Sequence, residues 1–89
     1  MAIHASMATP LRMPDMGTVA STVLLVRWLK EVGDVVTLGE PLFEVETEKG
    51  VTQVEAALAG MLIEKLVPDG GRAGAGEPIA LMRRHGESL

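Results

Sequence analysis

Lys49 stands in the segment Glu46-Thr47-Glu48-Lys49-Gly50, with Glu44 before it and Glu55 after it, so one amine lies among four carboxylates. Paired carboxylates can exchange protons in acid-base catalysis, and an amine can be acylated or condense with a carbonyl. No His, Ser or Cys stands near them in sequence to complete a catalytic set. A lysine is mostly protonated at neutral pH, and neighbouring carboxylates favour that charged form. Such an amine is a poor base and forms a covalent bond only with a partner that something else has activated. The four glutamates read as the solvated face of a strand pair, an acidic surround that could steer a basic partner to the lysine.

The elements that would hold this lysine come in two similar sets. Gly33-Asp34-Val35-Val36-Thr37-Leu38-Gly39-Glu40-Pro41-Leu42 is answered 37 residues later by Gly70-Gly71-Arg72-Ala73-Gly74-Ala75-Gly76-Glu77-Pro78-Ile79. The same offset lays Leu24-Leu25-Val26 over Met61-Leu62-Ile63, and Leu29 over Leu66. A repeated unit too small to bury its apolar face alone implies two interlocked halves, and Lys49 falls at the join.

Glycine and proline punctuate the chain too often for long helices, and the segments between them are rich in Val, Leu, Ile and Thr. This pattern predicts a small all-β fold with strands near 11–14, 23–31, 35–37, 41–47, 51–57, 60–67, 72–74 and 77–82. A helix over 23–32 competes, because Leu25, Trp28, Leu29 and Val32 fall at helical spacing; the β-branched content and flanking glycines favour the strand. Phe43 and Val45 alternate with Glu44 and Glu46, and Val54 and Ala56 with Gln53 and Glu55, so these strands read as a hairpin with one buried face. Its three-residue tip is Glu48-Lys49-Gly50, with Gly50 at positive φ and Lys49 outermost.

Eighty-nine residues suit one domain, expected over 11–82, with a mobile tail at 1–10 and a mobile tail or the start of a linker at 83–89. The chain has no cysteine, which excludes disulfides, a thiol nucleophile and thiolate metal sites. His4 and His85 lie in the tails without ligand partners, so no metal site is expected. Eight Lys and Arg against twelve Asp and Glu give a formal charge of −4, which argues against nucleic acid and anionic membrane surfaces. No strictly apolar run exceeds the four residues of Val23 to Val26, too few to span a membrane, and the amino terminus lacks a secretory pattern. A cytoplasmic, monomeric domain is expected. The Gly70 to Gly76 stretch lacks the Gly-Lys-Ser/Thr ending of a nucleotide loop and reads as turns.

Met13-Pro14-Asp15-Met16-Gly17, Gly33-Asp34-Val35-Val36, Gly39-Glu40-Pro41-Leu42 and Glu46-Thr47-Glu48-Lys49-Gly50 together resemble the lipoyl domain of the acyltransferase components of 2-oxo acid dehydrogenase complexes. The likeness covers residues 11 to 82, and a Glu-Thr-Glu-Lys motif also resembles some acetoin-dehydrogenase acyltransferases. The resemblance implies a flattened barrel or sandwich of two four-stranded antiparallel sheets related by a pseudo-twofold axis. It implies that Lys49 carries lipoic acid in amide linkage, attached by a lipoate ligase or transferase that reads the turn residues Glu46, Thr47, Glu48 and Gly50. The domain would then be a non-catalytic carrier, a swinging arm serving a thiamine-dependent decarboxylase, an acyltransferase core and dihydrolipoyl dehydrogenase. It departs from the family pattern in Glu48 for aspartate, Gly50 for alanine, Val23 for glycine, and in a Thr18 to Thr22 loop without the glutamates often found there. In the family that loop lies near the modified lysine. The alternatives are an unmodified lipoyl-like interaction module and a biotin carrier, although biotin domains show Met-Lys-Met where this chain has Glu48-Lys49-Gly50.

Overall fold

The computed structural model describes residues 8–84, all strands and turns. In chain order the strands are β1 (Thr9–Arg12), β2 (Val23–Trp28), β3 (Val35–Val36), β4 (Pro41–Thr47), β5 (Gly50–Glu55), β6 (Gly60–Lys65), β7 (Arg72–Ala73) and β8 (Pro78–Arg84). They form two four-stranded antiparallel sheets, ordered β1-β8-β6-β3 and β5-β4-β2-β7. The fold class follows the sequence expectation.

The repeat extends to individual hydrogen bonds. Leu25↔Val45 and Trp28↔Phe43 in one sheet match Leu62↔Met82 and Lys65↔Ala80 in the other. The Leu25 N–H donates to the Gly71 carbonyl as that of Leu62 does to Asp34, at 2.8 and 3.0 Å. The repeated Gly-Glu-Pro has a mechanical cause: the Glu40 carboxylate accepts from the Thr37 N–H, and the Glu77 carboxylate from the Gly74 N–H, closing the two equivalent turns. Leu25 and Leu62, Leu42 and Ile79, and Val45 and Met82 are fully buried pairs in the shared core. Where the halves differ, they complement each other. Trp28 packs on Phe43 with ring centroids 5.1 Å apart, its indole N–H donates to the Val67 carbonyl, and Lys65, its counterpart by the repeat, lies over the ring.

The helix-like spacing in β2 has a physical origin. The register against β4 shifts between Leu25 and Arg27, a β-bulge that adds one residue and turns both Leu25 and Trp28 inward. Val32, which completed the helical pattern, is 55% exposed. A second bulge between Pro41 and Phe43 buries the adjacent Leu42 and Phe43 together.

Strand ends differ from expectation. β2 stops at Trp28 rather than 31, since the backbone then turns toward Gly33. The ladder also reaches past 11 and 82. Thr9 and Pro10 pair with Met82 and Leu81, and Arg83 and Arg84 pair with Met61 and Gly60. Pro10 is tolerated because β1 is an edge strand. Residues 1–7 and 85–89, with His4 and His85, lie outside the described residues.

This packing predicts that Val45→Asp, which places a carboxylate at a fully buried position, abolishes the cooperative thermal transition. Val19→Asp, at a wholly exposed position, should shift stability by no more than about 0.5 kcal/mol.

Candidate functional site

The β4–β5 hairpin presents Lys49 as expected, with one refinement. Gly50 pairs with Thr47 and is the first residue of β5, so the unpaired tip is Glu48-Lys49. Gly50 has φ of 115°, a backbone conformation that side chains with a Cβ resist. The Thr47 hydroxyl accepts the Lys49 N–H at 3.0 Å and fixes the turn from within. Glu46 lies one position behind, paired with Leu24 and Val51 on the outer face of the sheet. Glu46, Thr47, Glu48, Lys49 and Gly50 thus share one end of the molecule.

The acidic surround is smaller than the sequence suggested. Glu44 is engaged by the Arg27 guanidinium at 2.9 Å, and this bond holds its carboxyl below the usual range. Glu55 pairs opposite Pro41 at the far end of the hairpin, six residues and so about 20 Å from the tip. Alternation in sequence tells which face a side chain takes, not what it meets there or how far along the strand it lies. Glu46 and Glu48 remain beside the lysine, on an open groove of about 320 Å³ also lined by Thr18, Ala20, Leu24 and Arg72.

The groove's other wall is a loop that breaks the internal repeat. The registers of β5 and β1 on their partners make Val54 equivalent to Leu11, since each faces one member of the pair Phe43 and Ala80. The connection leaving β5 has four residues, 56–59, whereas that leaving β1 has ten, 13–22. The longer connection folds over the hairpin tip. The Lys49 ammonium donates to the Gly17 carbonyl at 3.0 Å, and the Thr18 hydroxyl donates to the Glu48 carboxylate. Gly17 has φ of 70°, and a Cβ there would lie 3.4 Å from the lysine nitrogen. At the loop's other end Arg72 donates to the Thr22 hydroxyl and carbonyl at 3.0 and 3.1 Å. The Ser21 carbonyl fills the space where a Cβ on Gly74 would fall, 2.9 Å away.

Sequence reasoning placed the Thr18 to Thr22 loop near the lysine only through the family likeness, and it missed Gly17, Arg72 and Gly74 as members of the site. A signal was present in the repeat. Arg72 and Gly74 stand where the other half has Val35 and Thr37, and the ten-residue connection has no equal length in the second half.

The Thr18 bond, followed by the Glu48 backbone N–H and the Lys49 charge, lowers the Glu48 pKa below the ordinary glutamate value. A lowered folded-state pKa means that the contact contributes stability above the ordinary carboxylate range and loses it as pH falls through the folded value. In Thr18→Val the Glu48 titration midpoint, followed by side-chain carboxyl NMR, should therefore rise. An unmoved midpoint would show that the hydroxyl does not hold the carboxylate. Gly50→Val should lower stability by about 1–2 kcal/mol in urea denaturation, the cost of forcing a β-branched residue to positive φ.

Comparison with known proteins gives the arrangement its family. The family model Biotin_lipoyl, described as biotin-requiring enzyme, matches residues 9–82. The dihydrolipoyllysine-residue acetyltransferase component of the pyruvate dehydrogenase complex of Corynebacterium glutamicum is 37% identical over 73 residues, 82% of this chain and 11% of that protein. The succinyltransferase component of the human mitochondrial 2-oxoglutarate dehydrogenase complex is 43% identical over 61 residues, 68% of this chain and 14% of that protein. The chain therefore spans less than a fifth of the length of either relative. The solution structure of the lipoyl domain of the 2-oxoglutarate dehydrogenase complex from Azotobacter vinelandii superposes with a TM-score of 0.64 at 22% identity, covering 81% of this chain and 94% of that one, and so shares the fold. With its doubled four-stranded sheets and a lysine at the join of the two halves, the chain belongs to the biotin/lipoyl attachment family and resembles within it the lipoyl domains of 2-oxo acid dehydrogenase acyltransferases.

Proposed function

We propose that Lys49 is the attachment point for lipoic acid and that the domain is a carrier in a 2-oxo acid dehydrogenase-type complex. The observation that supports this most directly is the exposed amine at the outermost position of a tight hairpin, on a domain whose described residues bury no polar or charged group. The residues fit such a role. An exposed lysine on a two-residue tip can enter the active site of a modifying enzyme, whereas a lysine in the middle of a strand could not. Thr47 and Gly50 set the turn, and Glu46 and Glu48 mark it with charge.

Attachment requires an acyl group already activated, for example as a mixed anhydride with adenylate supplied by a ligase. The Lys49 ammonium gives up two protons, one to become a free amine and one as the amide C–N bond forms, and the acyl–phosphate bond breaks as adenylate departs. The change turns a cation into a neutral group and takes the formal charge of the chain from −4 to −5. When bound, the lipoyl group supplies a disulfide that takes up an acyl unit and two electrons, and that chemistry is the cofactor's own. The protein provides none of it. Its part is to fold, to present the amine at one end, and to be recognised by the ligase or transferase, by the decarboxylase, by the acyltransferase core and by dihydrolipoyl dehydrogenase.

Intact mass spectrometry of the chain produced in lipoate-supplied cells should show the lipoyl increment on essentially all molecules coexpressed with an active ligase, and none on Lys49→Arg. A biotin increment, or an unmodified chain beside a fully lipoylated control domain, would overturn the reading in favour of a biotin carrier or an unmodified interaction module.

A further inference from the structure

The Gly17 carbonyl is held in place from both sides. The Gly17 N–H donates to Asp15 Oδ1 at 2.9 Å, closing a short turn ahead of it. Just after it, the Thr18 hydroxyl accepts the Ala20 N–H at 3.1 Å and donates to Glu48 on the hairpin. The peptide oxygen between these anchors faces Lys49 Nζ at 3.0 Å. Behind it the loop is seated on Arg72 and against the bare Cα of Gly74. The equivalent positions in the other half, Val35 and Thr37, have no such loop to seat, because the connection there is six residues shorter. The extra residues, their seat and the anchors converge on one acceptor at one lysine nitrogen.

A lysine ammonium has three N–H donors, and a secondary amide on the same nitrogen keeps one. We propose that the Gly17 carbonyl accepts this remaining N–H and so holds the root of whatever acyl group Lys49 carries, with Thr18 as the positioning residue that keeps the carbonyl in place. The assignment rests on acylation of Lys49 and adds to it that the arm does not turn freely from its first bond. A fixed root removes orientations that lead away from a docked partner, which raises the share of productive encounters at each active site. Glycine at 17 lets the backbone take the φ of 70° that aims this carbonyl at the lysine.

Placing ¹⁵N-labelled Nε-acetyl-lysine at position 49 of the full chain by codon reassignment supplies the amide without a ligase. Hydrogen exchange of its side-chain N–H, read by NMR, should be slowed about fivefold relative to the peptide Glu-Thr-Glu-(acetyl-Lys)-Gly, the factor expected of one net hydrogen bond. Thr18→Val should cut the protection to less than about twofold, and Thr18→Ser, which keeps the hydroxyl, should restore it. Thermal melts confirm that each variant is folded. Exchange as fast as in the free peptide, or equal protection in Thr18→Val, would overturn the proposal. Because the acetyl amide needs no ligase, this failure is separate from that of the lipoyl reading. A chain never lipoylated in cells leaves the exchange result standing, and an unprotected amide leaves the mass result standing.

Discussion

Neither half of this chain can bury its own apolar surface, and the rest of the structure follows from that constraint. In each sheet the central pair of strands comes from one half, β4 and β2 or β8 and β6, while the edges β5 and β7 or β1 and β3 come from the other. Each half therefore completes its partner's sheet before the two sheets can close on a common core. The fully buried residues occur as pairs across this relation, Leu25 with Leu62 and Val45 with Met82. For a chain this small, where only about 60% of the unfolded surface can be buried, such mutual completion lets the central strands bury one face with no helix added among the described residues.

A symmetric scaffold has no reason to favour one end over the other. The site arises where the symmetry fails. The strand pair β4–β5 closes through Glu48 and Lys49, whereas its counterparts β8 and β1 are not joined by a hairpin but bring together distant parts of the described chain. Six additional residues between β1 and β2 then cover the closed hairpin, and β7 receives them through Arg72 and Gly74. Core burial and turn closure explain the repeated residues. The loop over Lys49 and its seat on Arg72 and Gly74 are unrepeated.

Much of the fold was legible in the sequence, because alternation, punctuation by Gly and Pro, and the repeat all report on burial and turns, which are local properties. Phe43, Val45 and Ala56 face inward as their alternation requires, and Gly50 takes positive φ at a tip that the flanking strands already bounded. The bulges were not legible, since a single added residue in β2 gives Leu25 and Trp28 the spacing of a helix. Nor were the polar contacts of the site. Thr18 meets Glu48 across 30 residues and Arg72 meets Thr22 across 50, and no period or propensity encodes such pairings. Glu44 shows the converse. Its charge looked available to the lysine, yet Arg27, reached only through the β2–β4 register, takes it up.

The direction of β8 gives the site its isolation. Gly76, just before that strand, donates to the Met13 carbonyl at the root of the loop that covers Lys49, and the strand then runs away from it for seven residues, about 20 Å. Thr9 pairs with Met82 at that remote end. The described backbone thus begins and finishes away from the lysine, and the hairpin tip, the covering loop and the groove between them are left clear of it. The exposed amine at the hairpin tip and the loop beside it both depend on the same break in the fold's symmetry.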